Sequence, residues 1–248
     1  QSGTDVIKEI ADMIITDDNF STIVIAVKEG RKVYKNIQKT VKFLFAANMG
    51  EILSLFLATI IFPLKTFLLP VQILFVNLIT DSLPAIALGV EKEELNIMEQ
   101  KPRKEKDNLF SNGHGKEILF MGLVQTAIIL IAYTIGVKTM GDTAGMTMAF
   151  YSLNIIQLLF MFSSRTEQSI FKSNPFKNKM FNIALIFGFG LLAIIACTPF
   201  GKILGLTNLS ISLWLITFGL AFLVIIVNEI YKFVRDKKRS KSKTRNLN

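Results

Sequence analysis

The sequence predicts an all-α polytopic membrane protein with about six transmembrane helices, and three observations carry that prediction. Of its 248 residues, 51% are hydrophobic and only 19% charged, too apolar for an ordinary soluble domain. Six apolar runs lie near 43–62, 67–90, 118–137, 146–163, 181–197 and 212–231, each long enough to cross roughly 30 Å of hydrocarbon. The basic residues alternate between the loops. Lys92, Lys101, Arg103, Lys104, Lys106 and Lys116 lie between the second and third runs. Arg165, Lys172, Lys177 and Lys179 lie between the fourth and fifth. Lys232, Arg235, Lys237, Lys238, Arg239, Lys241, Lys243 and Arg245 come after the sixth. The intervening loops hold little beyond Lys65, Lys138 with Asp142, and Lys202. That asymmetry predicts that both termini of the chain are cytoplasmic, and an even number of spans agrees with it. The net charge of +9 therefore reflects membrane orientation and gives no sign of a nucleic-acid partner. The partner it implies is the lipid bilayer, with the basic tail either solvated or resting on anionic headgroups.

Residues 1–19 are soluble in character and begin without an initiator Met or a signal peptide. Asp12-Met13-Ile14-Ile15-Thr16 reads as a short buried strand, and Asp17, Asp18, Asn19 and Ser21 offer N-caps for a following helix. This segment is expected to be the end of a domain whose body lies upstream. From about Phe20 to Ile61 nothing stops a helix strongly, and Gly30 is the one weak point before the membrane. Its first half carries Lys28, Glu29, Arg31, Lys32, Lys35, Lys39 and Lys42, and its second half is apolar around Asn48 and Glu51. One helix would thus run from the cytoplasm to mid-bilayer. Pro63 ends it, and Leu64 to Thr66 allow only a tight outer turn, so the second span is an antiparallel neighbour.

The second span holds Asn77, Thr80 and Asp81, with Pro84 beyond. Proline donates no N–H and clashes with the carbonyl four residues back, which frees the carbonyl of Thr80. The later spans are plainer. Asn154 and Gln157 of the fourth either line the same cavity or bond between helices. Glu229 has Lys232 within reach and reads as a structural pair. The one histidine, His114, sits in a polar loop and the one cysteine, Cys197, near a span end, so no disulfide and no His/Cys metal cluster is expected. Asn208-Leu209-Ser210 matches a glycosylation sequon, meaningful only in a secretory-pathway host.

An acid at mid-helix costs roughly 2.5–3.5 kcal/mol on insertion scales, so Glu51 and Asp81 mark an ion or proton path. Asn48 and Glu51 share one helix face; so do Asn77, Thr80 and Asp81. Turned together, the two faces offer about seven oxygens, within the range that Ca²⁺ accepts. Two carboxylates neutralise one divalent ion, and no soft ligand invites copper or zinc. When the ion leaves, two buried acids lose their countercharge, so protons are expected to replace it.

The same residues carry a family resemblance. Asn48-Met49-Gly50-Glu51 and the run from Pro70 through Asn77-Leu78-Ile79-Thr80-Asp81-Ser82-Leu83-Pro84 to Ala85 resemble spans five and six of P-type ATPases. The nearest resemblance is to the type IIA calcium pumps of the sarco/endoplasmic-reticulum kind. Ala87-Leu88-Gly89, Ile97-Met98 with Lys101-Pro102-Arg103, and Asp17-Asp18-Asn19-Phe20-Ser21-Thr22-Ile23 extend it. The resemblance implies a carboxy-terminal portion holding family spans 5–10: the end of the α/β phosphorylation domain at 1–19, the transport domain at 20–231 and a basic tail at 232–248. It implies ATP-driven calcium export with proton countertransport, with Asn48, Glu51, Asn77, Thr80, Asp81 and Gln157 at the positions of family ion ligands. Gln157 stands where the family places a glutamate, which removes a charge and puts two ions per cycle in doubt. The Asp-Lys-Thr-Gly phosphorylation motif, the nucleotide domain and the magnesium-binding loop are missing from this sequence. Mg-ATP would be bound by an N-terminal part of the same pump, the chain's implied partner, and catalysis would reside there. The short loop at Met140 to Gly145, without a cysteine pair, favours a bacterial plasma-membrane pump. Two other readings stand beside this one: a P-type pump for another hard cation (Na⁺, K⁺ or Mn²⁺), and a channel or secondary transporter using the same acids.

Overall fold

A computed structural model describes residues 5–17, 19–92, 97–99, 102, 109–110, 113–166, 169–170 and 178–245. The expected roles of Asp18, Lys101, Arg103, Lys104, Lys106, Lys172 and Lys177, and of the tail side chains from Arg239 onward, lie outside the described residues. Among the described residues, six helices are long and apolar enough to cross a membrane: Phe20–Ile61, Pro70–Gly89, His114–Met140, Asp142–Ser164, Lys179–Cys197 and Ile211–Lys238. They match the six apolar runs of the sequence one for one.

The first element is a short helix, α1 (Asp5–Ile10). Residues 12–16, expected as a buried strand, are irregular, and Met13 and Ile14 are exposed. A strand needs a neighbour for its backbone groups, and no other strand exists among the described residues to supply one. Helix α2 (Phe20–Ile61) then runs unbroken for 42 residues, about 63 Å at 1.5 Å per residue. Asn19 caps it, its side-chain oxygen accepting from the backbone N–H of Ser21 at 3.0 Å. The Thr22 hydroxyl donates to Asp17 at 2.6 Å, and with the Asn19 amide it holds that carboxyl below the usual aspartate range. The buried residues of α2 are Asn36, Lys39, Lys42, Phe43, Ala46, Ala47, Gly50, Glu51, Ser54 and Ala58, recurring every three or four residues. That single stripe faces the rest of the bundle.

Past Pro63 the chain turns and re-enters as α3 (Pro70–Phe75), with Pro70 at its start, where a missing N–H costs nothing. Gln72 accepts from the Leu69 N–H at 3.0 Å and donates to the Leu204 carbonyl at 2.8 Å, tying this helix start to the loop before the last span. Residues Val76–Thr80 form a π turn, closed by the Asp81 N–H reaching the Val76 carbonyl at 3.0 Å. Next comes α4 (Ser82–Gly89), with Pro84 in its first turn. The proline thus restarts the helix, and the widened turn just before it holds Asn77 and Thr80.

α5 (His114–Met140) and α6 (Asp142–Ser164) are joined at Gly141, whose φ of 90° suits glycine. They cross closely because Gly136 meets Gly145: a Cβ on Gly136 would lie 2.7 Å from the Gly145 Cα and 2.8 Å from the Ala144 carbonyl oxygen. Backbone cannot yield as a side-chain tip can. Gly136→Val should therefore destabilise the complete protein by about 1–3 kcal/mol, read as a lowered thermal midpoint in detergent. Gly190→Ala, where a Cβ meets nothing within 4 Å, should leave it unchanged. Helix α6 is the central pillar, nearly all of its residues from Ala144 to Ser164 being buried. α7 (Lys179–Cys197), capped by Asn178, α8 (Phe200–Ile203) and α9 (Ile211–Arg245) complete the bundle. α9 stays helical through the basic stretch that the sequence marks as a tail.

Buried ion pairs tie the helices at one end. Glu117 of α5 meets Lys42 of α2 at 2.9 Å and Arg235 of α9 at 3.3 Å. Glu91, just past α4, meets Arg165 at 2.9 Å and accepts from Asn178 at 2.8 Å. Glu229 pairs with Lys232 at 2.8 Å, as its spacing predicts. At the opposite end Asp142 pairs with Lys65 at 2.5 Å. His114 departs from expectation: it opens α5 and is buried, because the helix starts earlier than its polar flank suggests.

Candidate functional site

Glu51 lies on the buried stripe of α2. Beside it Ala46 and Gly50 let α5 approach closely, a Cβ on Gly50 meeting the Gln125 Cβ at 2.9 Å. The Asn77 amide donates to both carboxylate oxygens of Glu51, at 3.0 and 3.2 Å, and also to the Ile73 carbonyl at 3.0 Å. Three residues on, the Thr80 hydroxyl donates to the side-chain oxygen of Asn154 at 2.6 Å. Asn154 is held in turn by its own amide, which donates to the Phe150 carbonyl at 2.7 Å.

Asp81 comes just after the π turn and is 3% exposed. Neither of its carboxylate oxygens has a hydrogen-bond partner. The side-chain oxygen of Gln157, one turn beyond Asn154 on α6, is likewise buried and unpartnered. Buried polar atoms are rarely left so, and each one costs about 1–3 kcal/mol, more when charged. Asp81 also lies within electrostatic reach of Glu51. Two acids of like charge with little else to satisfy them suit one positive guest.

The structure thus brings Glu51, Asn77, Thr80 and Asp81 to one place between α2, the π turn and α6. Asn48 stands apart: half-buried, it donates to the Leu44 carbonyl of its own helix at 2.8 Å, and among the described residues no hydrogen bond joins it to the others. Asn77 is exposed, so the site is open on its side. Two neighbours carry weaker signals in the sequence. Asn154 bonds Thr80 directly, and its spacing of three from Gln157 is the one hint of that role. Gln125 of α5 is a lone amide in an apolar helix; its buried nitrogen lacks a partner and its stem packs against Gly50, next to Glu51. As a donor set the cluster is all oxygen, with two carboxylates, and that suits a hard cation. Among the described residues no group of three His, Cys, Asp or Glu side chains forms a metal cage, so any cage here depends on amide, hydroxyl and carbonyl oxygens.

The family model for the cation-transporting ATPase C-terminus matches residues 65–234. Among curated relatives, the chain is 41% identical to "Calcium-transporting ATPase 1" of Bacillus cereus, an alignment covering 94% of this chain and 28% of that protein. It is 41% identical to "Calcium-transporting ATPase" of Bacillus subtilis over 71% of this chain and 20% of that protein. "Calcium-transporting ATPase 2, endoplasmic reticulum-type" of Arabidopsis thaliana matches at 29% identity over 98% of this chain and 29% of that protein. The chain thus spans between a fifth and a third of the length of these relatives.

Proposed function

The chain belongs to the cation-transporting ATPases as the carboxy-terminal membrane portion of a type IIA calcium pump, and from that premise we propose that it holds and translocates calcium for a longer, ATP-driven protein. The observation that carries the reading is Asp81, a buried carboxylate with both oxygens unpartnered beside a second acid. Glu51 and Asp81 supply the countercharge. Asn77, Thr80 and Gln157 supply neutral oxygens, and Asn48 joins when a small rotation of α2 brings its free oxygen inward. Seven or so oxygens of this kind match the coordination of Ca²⁺. Calcium is the cargo, and release leaves two buried acids to be neutralised by protons, so each cycle carries protons the other way.

Residues 1–19 are read as the end of the phosphorylation domain, 20–231 as the transport domain and 232–248 as a cytoplasmic tail. Mg-ATP and the phosphorylated aspartate belong to the N-terminal part of the longer protein. In this reading both ends of the chain face the cytoplasm of a bacterial plasma membrane, since the buried and exposed Lys and Arg residues gather at one end of the bundle. The test is calcium-dependent phosphoenzyme formation by the complete protein, compared with sodium and manganese. Calcium alone should support it at micromolar levels or below, and equal support by sodium would overturn the assignment.

Gln157 sets the number of ions. Its neutral oxygen leaves only two carboxylates, enough for one divalent ion. Gln157→Glu should either tighten calcium binding, by about 1–3 kcal/mol for an added charged ligand, or admit a second ion. Calcium bound per phosphorylation site, measured at equilibrium with radioactive calcium, distinguishes the two. If both numbers stay fixed, Gln157 is structural.

A further inference from the structure

Away from the cation cluster, at the end of the bundle that holds the Lys65–Asp142 pair, a cavity of about 370 Å³ opens between Tyr151 in the first half of α6, the end of α7, the α7–α9 connection and the start of α9. Its lining is mixed. Tyr151 and Trp214 form an aromatic wall, their rings 4.5 Å apart. Cys197, Thr198, Lys202 and Asn208 form the polar side. Trp214 is half-buried, as tryptophans are where hydrocarbon meets headgroups, with the buried Tyr151 behind it. Phe200 and Ile203, on either side of the lining residues Gly201 and Lys202, and Ile211 at the start of α9 are 51%, 74% and 80% exposed. Apolar side chains so placed belong against acyl chains rather than water.

Charge identifies the guest. Lys202 is exposed, and no acid pairs with it among the described residues. From Lys179 to Asn228 the sequence contains no Asp or Glu at all, so nothing on α7, α8 or this part of α9 can neutralise it. Among the described residues at this end of the bundle, the acid is Asp142, and it is already paired with Lys65. A lysine without a counterion sits beside hydroxyl and amide groups, an aromatic wall and an exposed apolar rim. This set suits a molecule with one anionic, hydrogen-bonding end and an apolar remainder.

We propose that this cavity is a binding site for the headgroup of an anionic phospholipid of the extracytoplasmic leaflet. The phosphate rests on Lys202 with Thr198 and Asn208 nearby, the glycerol region packs on Trp214, and the acyl chains run down past Ile203 and Ile211. The site is separate from the cation cluster, and its occupancy can be read without any transport assay.

Cys197 supplies the probe, because it is exposed and lines the cavity. The complete protein, in nanodiscs of pure phosphatidylcholine or with phosphatidylglycerol added, is treated with the neutral reagent N-ethylmaleimide. The alkylation rate at Cys197 is followed by mass spectrometry of its own peptide. Phosphatidylglycerol should slow the reaction at least three-fold relative to phosphatidylcholine, and Lys202→Gln should bring that ratio back towards one. Equal rates in the two lipids for the unaltered protein would overturn the proposal. So would protection that persists in full in K202Q, which would reflect only the surface potential of the bilayer. Protection by inorganic phosphate in phosphatidylcholine nanodiscs would assign the site to a free anion instead of a lipid. Lys202 is exposed, so its substitution leaves the packing of the bundle intact, and calcium-dependent phosphorylation should survive in K202Q.

Discussion

Asp81→Asn is expected to abolish calcium-dependent phosphorylation of the complete pump at physiological calcium. The carboxylate supplies half of the side-chain countercharge available to a divalent ion here, and its replacement keeps the shape of the side chain while removing the charge. Breaking a buried charge pair in this way costs about 3–5 kcal/mol, so the apparent calcium affinity should fall by roughly 100-fold or more. The empty protein should fold as well as before, because neither Asp81 oxygen makes a hydrogen bond that the amide would lose. Thermal unfolding in chelator separates the two effects: an unchanged midpoint together with lost phosphorylation supports a ligand role. A matching fall in both would make Asp81 a structural acid, and an unchanged calcium affinity would refute the assignment.

Lys35→Pro should uncouple ATP hydrolysis from calcium uptake. Lys35 lies inside the unbroken helix α2, between its capped start at Asn19 and the buried stripe that includes Glu51. Proline there removes an N–H, clashes with the Arg31 carbonyl and costs the helix about 3 kcal/mol. A kink at this point leaves both ends of α2 folded and interrupts only the rod between them. Calcium transported per ATP hydrolysed should therefore drop steeply, while Lys35→Ala, which keeps the helix, should hold the ratio. Normal coupling in the proline variant would mean that the signal travels by another route.

Much of this architecture is legible from residue order because a bilayer imposes strong rules. Twenty apolar residues must become a helix, and the span from Phe20 to Ile61 reads correctly because it holds no proline and its two glycines, Gly30 and Gly50, stand singly among good helix formers. The break in the second span is equally visible, since Pro84 forces a restart. Features set by packing are harder to read. The sequence places Asn48 with Glu51 by spacing alone, yet its amide turns to the Leu44 carbonyl of its own helix. The partnership of Thr80 with Asn154 depends on how α6 sits against the π turn, which no local pattern encodes. The strand expected at 12–16 fails for a related reason, because strand pairing is a property of two segments and no second strand lies among the described residues. That Cys197 is exposed and lines a cavity is set by how the connection beyond it packs, which no local pattern encodes.

The most direct test of the central claim is a high-resolution density map of the complete protein with calcium bound. The account predicts metal density at about 2.3–2.6 Å from carboxylate oxygens of both Glu51 and Asp81, with Asn77 turned so that its oxygen faces the ion. Density held by only one of the two acids, or by neither, would contradict it.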